Sequence, residues 1–191
     1  MKKVVLGSVL LLAMSSVQAA EAPRWDSAAV SFQRVDVDGD KLTGFGFAGS
    51  KLLGKNIFVN GSYGNVSNEF YGVDYTYKTM SLGLGARVAV SDSTDLYGIV
   101  SYEDVELDAS YYNNSASDGD NGHGMAFGAR TMLTDKFELN GGFKFIEIAD
   151  ESETAINVSA LYNFTDNVSG GLGITRADDV DTISISAVYY F

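Results

Sequence analysis

The chain has 191 residues, room for one domain and a short targeting segment. It has no cysteine, which excludes disulfides and thiolate metal sites, and its net charge of −12 argues against nucleic acid as a partner. With 21 Gly, a single Pro, 11 Tyr, 11 Phe and 1 Trp, it suits many short strands with aromatic girdles better than a helical domain, while leaving soluble β-sandwiches open.

The first residues read as a secretory signal: Lys2 and Lys3 form a basic start, Val4 to Met14 an apolar core, and Val17-Gln18-Ala19 a small-residue cleavage site before Ala20. Cleavage is expected between Ala19 and Ala20, leaving 20–191 as a barrel domain. The apolar core is too short to span a bilayer as a helix, and no later stretch approaches the ~20 apolar residues required. No Cys follows it to carry a lipid anchor.

Beyond the signal, the chain alternates apolar and polar residues with period two, as a strand does with lipid on one face and a lumen on the other. The first half gives five strands, at 26–35, 42–51, 56–65, 74–89 and 95–107. Their outward residues include Val30 and Phe32, Phe45 and Phe47, Ile57, Val59 and Tyr63, Met80, Leu82 and Leu84, and Leu96, Val100 and Tyr102. Ile99 falls on the inward side. The second half gives 123–133, 137–148, 154–164, 168–175 and 181–191. In 137–148, Phe137, Leu139, Phe143 and Phe145 alternate with Glu138, Asn140 and Lys144, whose charges are costly in hydrocarbon.

Four connections are short turns: Leu53-Gly54-Lys55-Asn56, Ser91-Asp92-Ser93-Thr94, Thr134-Asp135-Lys136 and Thr165-Asp166-Asn167. Asp and Asn side chains are expected to bond the turn backbone there. Five more variable connections, at 36–41, 66–73, 108–122, 149–153 and 176–180, are expected to be loops. The fold class is therefore all-β: a transmembrane, antiparallel, up-and-down β-barrel of about ten strands, with eight as the alternative. Both termini and the short turns belong on the periplasmic side.

In the last segment Ile183, Ile185, Ala187, Tyr189 and Phe191 alternate up to a final aromatic. Here the sequence resembles small Gram-negative outer-membrane barrels of the porin-like and OmpA/opacity type. Trp25, Val35-Asp36, Gly44-Phe45-Gly46, Gly61-Ser62-Tyr63, Leu82-Gly83-Leu84-Gly85, Thr94-Asp95-Leu96-Tyr97-Gly98 and Tyr162-Asn163-Phe164-Thr165-Asp166 carry the resemblance. It implies a bacterial outer-membrane location and a C-terminal segment, Ile183 to Phe191, read by the barrel-assembly machinery. The well-known small members have eight strands, whereas ten are counted here.

Three groups of residues are candidates for function. His123, with Ser115, Ser117, Asp118 and Asp120 near it in sequence, lacks the spacing of a known hydrolase, so a polar loop histidine is favoured over a catalytic one. Asp36, Asp38, Asp40, Asp108, Asp118, Asp120, Asp150, Glu151, Glu153, Asp178 and Asp179 make an acidic rim. Neither Asp36 to Asp40 nor Asp118 to Asn121 matches an EF-hand. Solvated loops are favoured, facing outer-membrane lipids and lipopolysaccharide through divalent cations. Inside the barrel, Arg87, Glu103, Arg130, Glu138 and Lys144 are the lumen charges, with Arg130 diagonal to Glu138 across the Asp135 hairpin. Ten strands enclose little more than their own side chains, so a plugged or narrow polar lumen is expected. No cofactor is expected. The leading function is a structural or surface-interaction scaffold, not an enzyme; the second is a narrow channel for small solutes or ions, and a lipid-modifying enzyme or protease comes third.

Overall fold

The structure, a computed structural model, describes residues 22–191 apart from 38, 71, 113, 150 and 179. Ten strands follow one another: β1 (Ser27–Val37), β2 (Asp40–Leu52), β3 (Ile57–Phe70), β4 (Val73–Ser91), β5 (Thr94–Tyr111), β6 (Asn114–Thr134), β7 (Phe137–Ile148), β8 (Glu151–Asn163), β9 (Val168–Ala177) and β10 (Val180–Tyr190). Each pairs antiparallel with its sequence neighbour, and β1 pairs with β10 from Ser27↔Tyr190 to Val37↔Val180, closing the barrel. Closure leaves no edge strand, so every strand's backbone donors and acceptors can be satisfied within the wall. The expected signal peptide lies outside the described residues.

The outward face carries an apolar belt. Along β4 it runs from Met80 through Leu82, Leu84, Ala86 and Val88, and Val90 continues it through a register shift between Ala89 and Ser91. That length matches the ~9–11 residues of a tilted membrane strand. Above the belt the outward positions turn polar: Arg34, Lys78, Asp104, His123 and Glu147. Lys78 pairs there with Asp108 at 2.6 Å and Glu106 at 3.0 Å. Hydrogen bonds to Asp108 and then Glu106 push the Lys78 ammonium above its ordinary value.

The two ends differ in their connections. At the turn end, the Thr134 hydroxyl accepts from the Phe137 N–H at 3.1 Å and the Thr165 hydroxyl from the Val168 N–H at 3.1 Å. In those turns the Thr hydroxyl, rather than the neighbouring Asp side chain, supplies these bonds. At the opposite, hairpin end the expected loops are replaced by paired strands. The ladders reach Val37↔Asp40, Phe70↔Val73, Tyr111↔Asn114, Ile148↔Glu151 and Ala177↔Val180, leaving two-residue reversals. Such reversals favour turns with positive φ, which is adopted by Gly39, Gly72, Tyr112, Ala149 and Asp178. The longest predicted loop, 108–122, is a ribbon of β5 and β6 in which Leu107 pairs with Asp118 and Val105 with Asp120. Beyond the belt, neither face of a ribbon meets lipid. The apolar alternation therefore disappears from the sequence while the backbone ladder persists.

Candidate functional site

The inward face of the barrel is the site, and its layers follow from side-chain parity. At the turn end the segment just before β1 folds inward. Trp25 has the same parity as Ser27 and Ala29, and the residue is 5% exposed. The indole Nε1 donates to Asp95 Oδ2 at 2.7 Å, and the same oxygen accepts from Arg87 Nη1 at 2.6 Å. Phe58 packs against the indole with centroids 4.5 Å apart, Tyr97 meets it edge-on at 5.7 Å, and the Arg130 guanidinium lies 4.6 Å above it. A residue anchored beside β1 thus touches β3, β5 and β6, and Arg87 of β4 lies 5.9 Å from its ring. In a ring of ten, β6 is opposite β1, so the side chain crosses the bore.

The surrounding charges are arranged in pairs. Arg130 Nε donates to Glu138 Oε1 at 2.7 Å, with the Glu138 side chain 2% exposed. Low exposure makes the pairing matter, because an unpartnered buried charge is far costlier than one in water. Tyr97 donates its hydroxyl to Asn140 Oδ1 at 3.1 Å. Arg24 lies 3.9 Å over the Tyr190 ring, extending the layer to β10. The segment is tied below: Ser50 Oγ donates to the Trp25 carbonyl, and Asp26 accepts from the Leu52 N–H at 2.7 Å and from Lys51 Nζ at 2.7 Å. The Leu52 N–H first, then Lys51, hold the Asp26 carboxyl below its ordinary value.

One layer further in, Glu103 accepts from Lys144 Nζ at 2.8 Å and from Ser81 Oγ at 2.9 Å. Gly124 leaves space for this cluster, since a Cβ there would fall 2.8 Å from Ser101 Oγ and 2.9 Å from Glu103 Oε1. At the hairpin end the inward residues change type. Leu42, Val66, Leu107 and Val180 help enclose a cavity of about 760 Å³ that also meets Glu153 and Asp40. The polar lumen expected from the sequence accordingly describes the two inner layers and not this outer one.

Of the sequence candidates, the structure brings Arg130 to Glu138 and Lys144 to Glu103, but it gives Arg87 to Asp95. Sequence reasoning misses Trp25 and Asp95 as lumen residues. Their parity is the available signal: Asp95 lies in phase with Tyr97 and Glu103, and Trp25 with Ser27. His123 points outward on β6 opposite Tyr102, 3.7 Å from Glu147, while Ser115 and Ser117 pair with Ser110 and Asp108 farther up the ribbon. Among the described residues no three His, Asp or Glu side chains are grouped to share a metal ion. Asp38, Asp150 and Asp179 of the acidic rim lie outside them.

A family model described as outer membrane protein beta-barrel domain matches residues 5–191. No curated protein matches the chain. Among solved structures it is similar to the NanC porin, with 7% identity over 85% of this chain and 100% of that one and a TM-score of 0.55. It is also similar to the N-terminal β-barrel domain of Pseudomonas aeruginosa OprF, with 8% identity over 87% and 100% of the two chains and a TM-score of 0.49. A third is Ail, the attachment invasion locus protein of Yersinia pestis, with 16% identity over 87% and 95% and a TM-score of 0.47. At these identities the likeness concerns the fold alone.

Proposed function

The chain belongs to the bacterial outer-membrane β-barrel proteins, and from that premise we propose that it is a surface-interaction scaffold whose bore is plugged at the periplasmic end and whose acidic hairpins face outward. The observation that carries this reading is the position of Trp25. Its indole reaches from the β1 side to Asp95 on β5 and under Arg130 on β6, where a porin of this strand count would need open water. Aromatic and charged groups satisfy one another there, and among the described residues the one buried side-chain polar atom left without a partner is Asn60 Oδ1, in the same layer.

On the outer side, Asp104, Asp108 and Glu147 point outward above the apolar belt, and Asp118, Asp120 and Glu151 are exposed on the bore-facing side of the ribbons. Carboxylates in that position meet lipopolysaccharide phosphates through divalent cations, and they favour basic partners at longer range. At the other end, Ile183, Ile185, Ala187, Tyr189 and Phe191 form the segment the assembly machinery engages, after export under the signal peptide cleaved at Ala19.

Solute entry into loaded liposomes tests this reading. The purified barrel is expected to leave the swelling rate in glycine or arabinose at that of protein-free liposomes. Swelling at the rate given by a general porin would overturn the scaffold reading in favour of a channel.

A further inference from the structure

The hairpin end of the bore holds a pocket whose lining does not fit a water-filled mouth. Val35 and Val37 of β1, Leu42 of β2, Val66 of β3, Leu107 of β5 and Val180 of β10 form an aliphatic wall around about 760 Å³. That volume falls in the ~300–1,000 Å³ range of small-molecule sites, which are mostly apolar with a few placed polar groups. Solvating such a wall costs roughly 25 cal/mol for each Å² left in water. Packing more aliphatic side chain into the bore would remove the cost, yet the space is kept.

A carboxylate faces this wall from the far side. Glu153, inward on β8, lines the pocket with Asp40, and among the described residues it has no ion pair. The acids of the deeper layers each have a cation: Asp95 has Arg87, Glu103 has Lys144 and Glu138 has Arg130. The charged neighbour that Glu153 does feel is Asp178, of like sign; burial first, and Asp178 second, raise its carboxyl above the ordinary value. Tyr77, at the same level on β4, is close enough for the Glu153 charge to act on its phenol, after burial, in the same upward direction. The pocket therefore offers an apolar wall, the rings of Tyr75 and Tyr77 and negative charge on Glu153 and Asp40, and among the described residues its lining holds no cation.

We propose that this outer vestibule binds a small amphiphile carrying a primary ammonium group on a short aliphatic body, entering from the external side. The ammonium group sits against Glu153 with Asp40 at the rim and the Tyr77 ring alongside, and the aliphatic body lies on Val66 and Leu107. An anion of the same size meets two carboxylates, and a neutral alcohol leaves Glu153 uncompensated. Charge at the polar end of the ligand is thus the feature the pocket selects, and the aliphatic wall supplies affinity without charge preference.

Calorimetry on the full-length mature barrel in phosphatidylcholine nanodiscs tests this, with n-hexylammonium, n-hexanol and n-hexanoate as probes and empty nanodiscs as the partition control. Saturable n-hexylammonium binding is expected, roughly ten-fold tighter than n-hexanol, the size of one charge-assisted hydrogen bond, with no saturable n-hexanoate binding. Glu153→Gln should bring n-hexylammonium to the n-hexanol level and leave n-hexanol unchanged. Leu107→Asn should weaken both. The heat-dependent gel mobility of folded barrels verifies each variant's fold, and Glu153 and Leu107 both sit outside the apolar belt that holds the barrel in lipid. The proposal is overturned if n-hexylammonium binds wild type no better than n-hexanol or the empty-disc control, if n-hexanoate binds equally well, or if Glu153→Gln keeps the ten-fold preference.

Discussion

At the turn end of the bore, Trp25 is held by Asp95, Phe58, Tyr97 and Arg130, and each acid beside it has a basic partner within hydrogen-bonding distance. At the hairpin end, aliphatic side chains from five strands surround an open volume, and the carboxylate of Glu153 has a like-charged neighbour in Asp178. The same wall of alternating residues produces both. What differs is whether a segment from outside the wall folds in: residues 22–26 do so below, and the two-residue reversals above leave no chain to spare. A ten-stranded barrel is wide enough to need such a filler and narrow enough for one indole to reach across.

This contrast predicts where substitutions hurt. Arg130→Ala should have the largest effect, because it leaves Glu138 buried without its cation and uncovers the indole; a loss of ~3–5 kcal/mol is expected. Urea titration of folding into lipid vesicles, followed by gel mobility, measures it. Arg130→Ala with Glu138→Ala should lose less than the single change, and a double loss equal to the sum of the singles would show that the pair is not coupled.

Trp25→Phe comes next. It keeps a ring in the bore but removes the Nε1–H donor to Asp95, whose remaining partner is Arg87, and about 1–3 kcal/mol should be lost. An unchanged urea midpoint would mean that packing alone holds the segment.

At the hairpin end the effects are smaller and of opposite sign. The Glu153 carboxyl is raised above its ordinary value of 4.5 in the folded barrel, by burial and then by Asp178. The folded state therefore keeps a proton that the unfolded chain has released, and stability falls as pH rises through the window from the unfolded to the folded value. Below that window both states are protonated and Glu153 contributes nothing. Glu153→Gln should flatten the slope in this window and slightly stabilise the barrel above it; an unaltered pH profile would remove burial and Asp178 as the cause.

Much of the architecture is legible in the amino-acid pattern. The strand over 137–148 has the same limits in sequence and structure, because Phe137 to Phe145 meet lipid and alternate with residues that cannot. The turn at Asp135 then fixes Met132 opposite Glu138, which places Arg130 within reach of Glu138. Trp25 is hidden because it precedes the first strand, where no alternation surrounds it and only its phase with Ser27 points inward. The ribbons above the belt are hidden for the reason given by Val105↔Asp120: polar and apolar residues pair there with water on offer to either face. An Asp-Gly pair at 38–39, a two-residue hairpin signal, is the sequence cue that the connection at 36–41 is a tight reversal. The apolar vestibule escapes because Val35, Val66, Leu107 and Val180 are scattered over four strands, and only closure sets Val180 of β10 beside β1.

The claim that Trp25 and its partners close the bore is tested most directly by single-barrel conductance in planar bilayers. Wild type should show little or no conductance, while Trp25→Ala, and separately Arg130→Ala with Glu138→Ala, should each conduct several-fold more. A large, steady wild-type conductance that neither variant changes would contradict it.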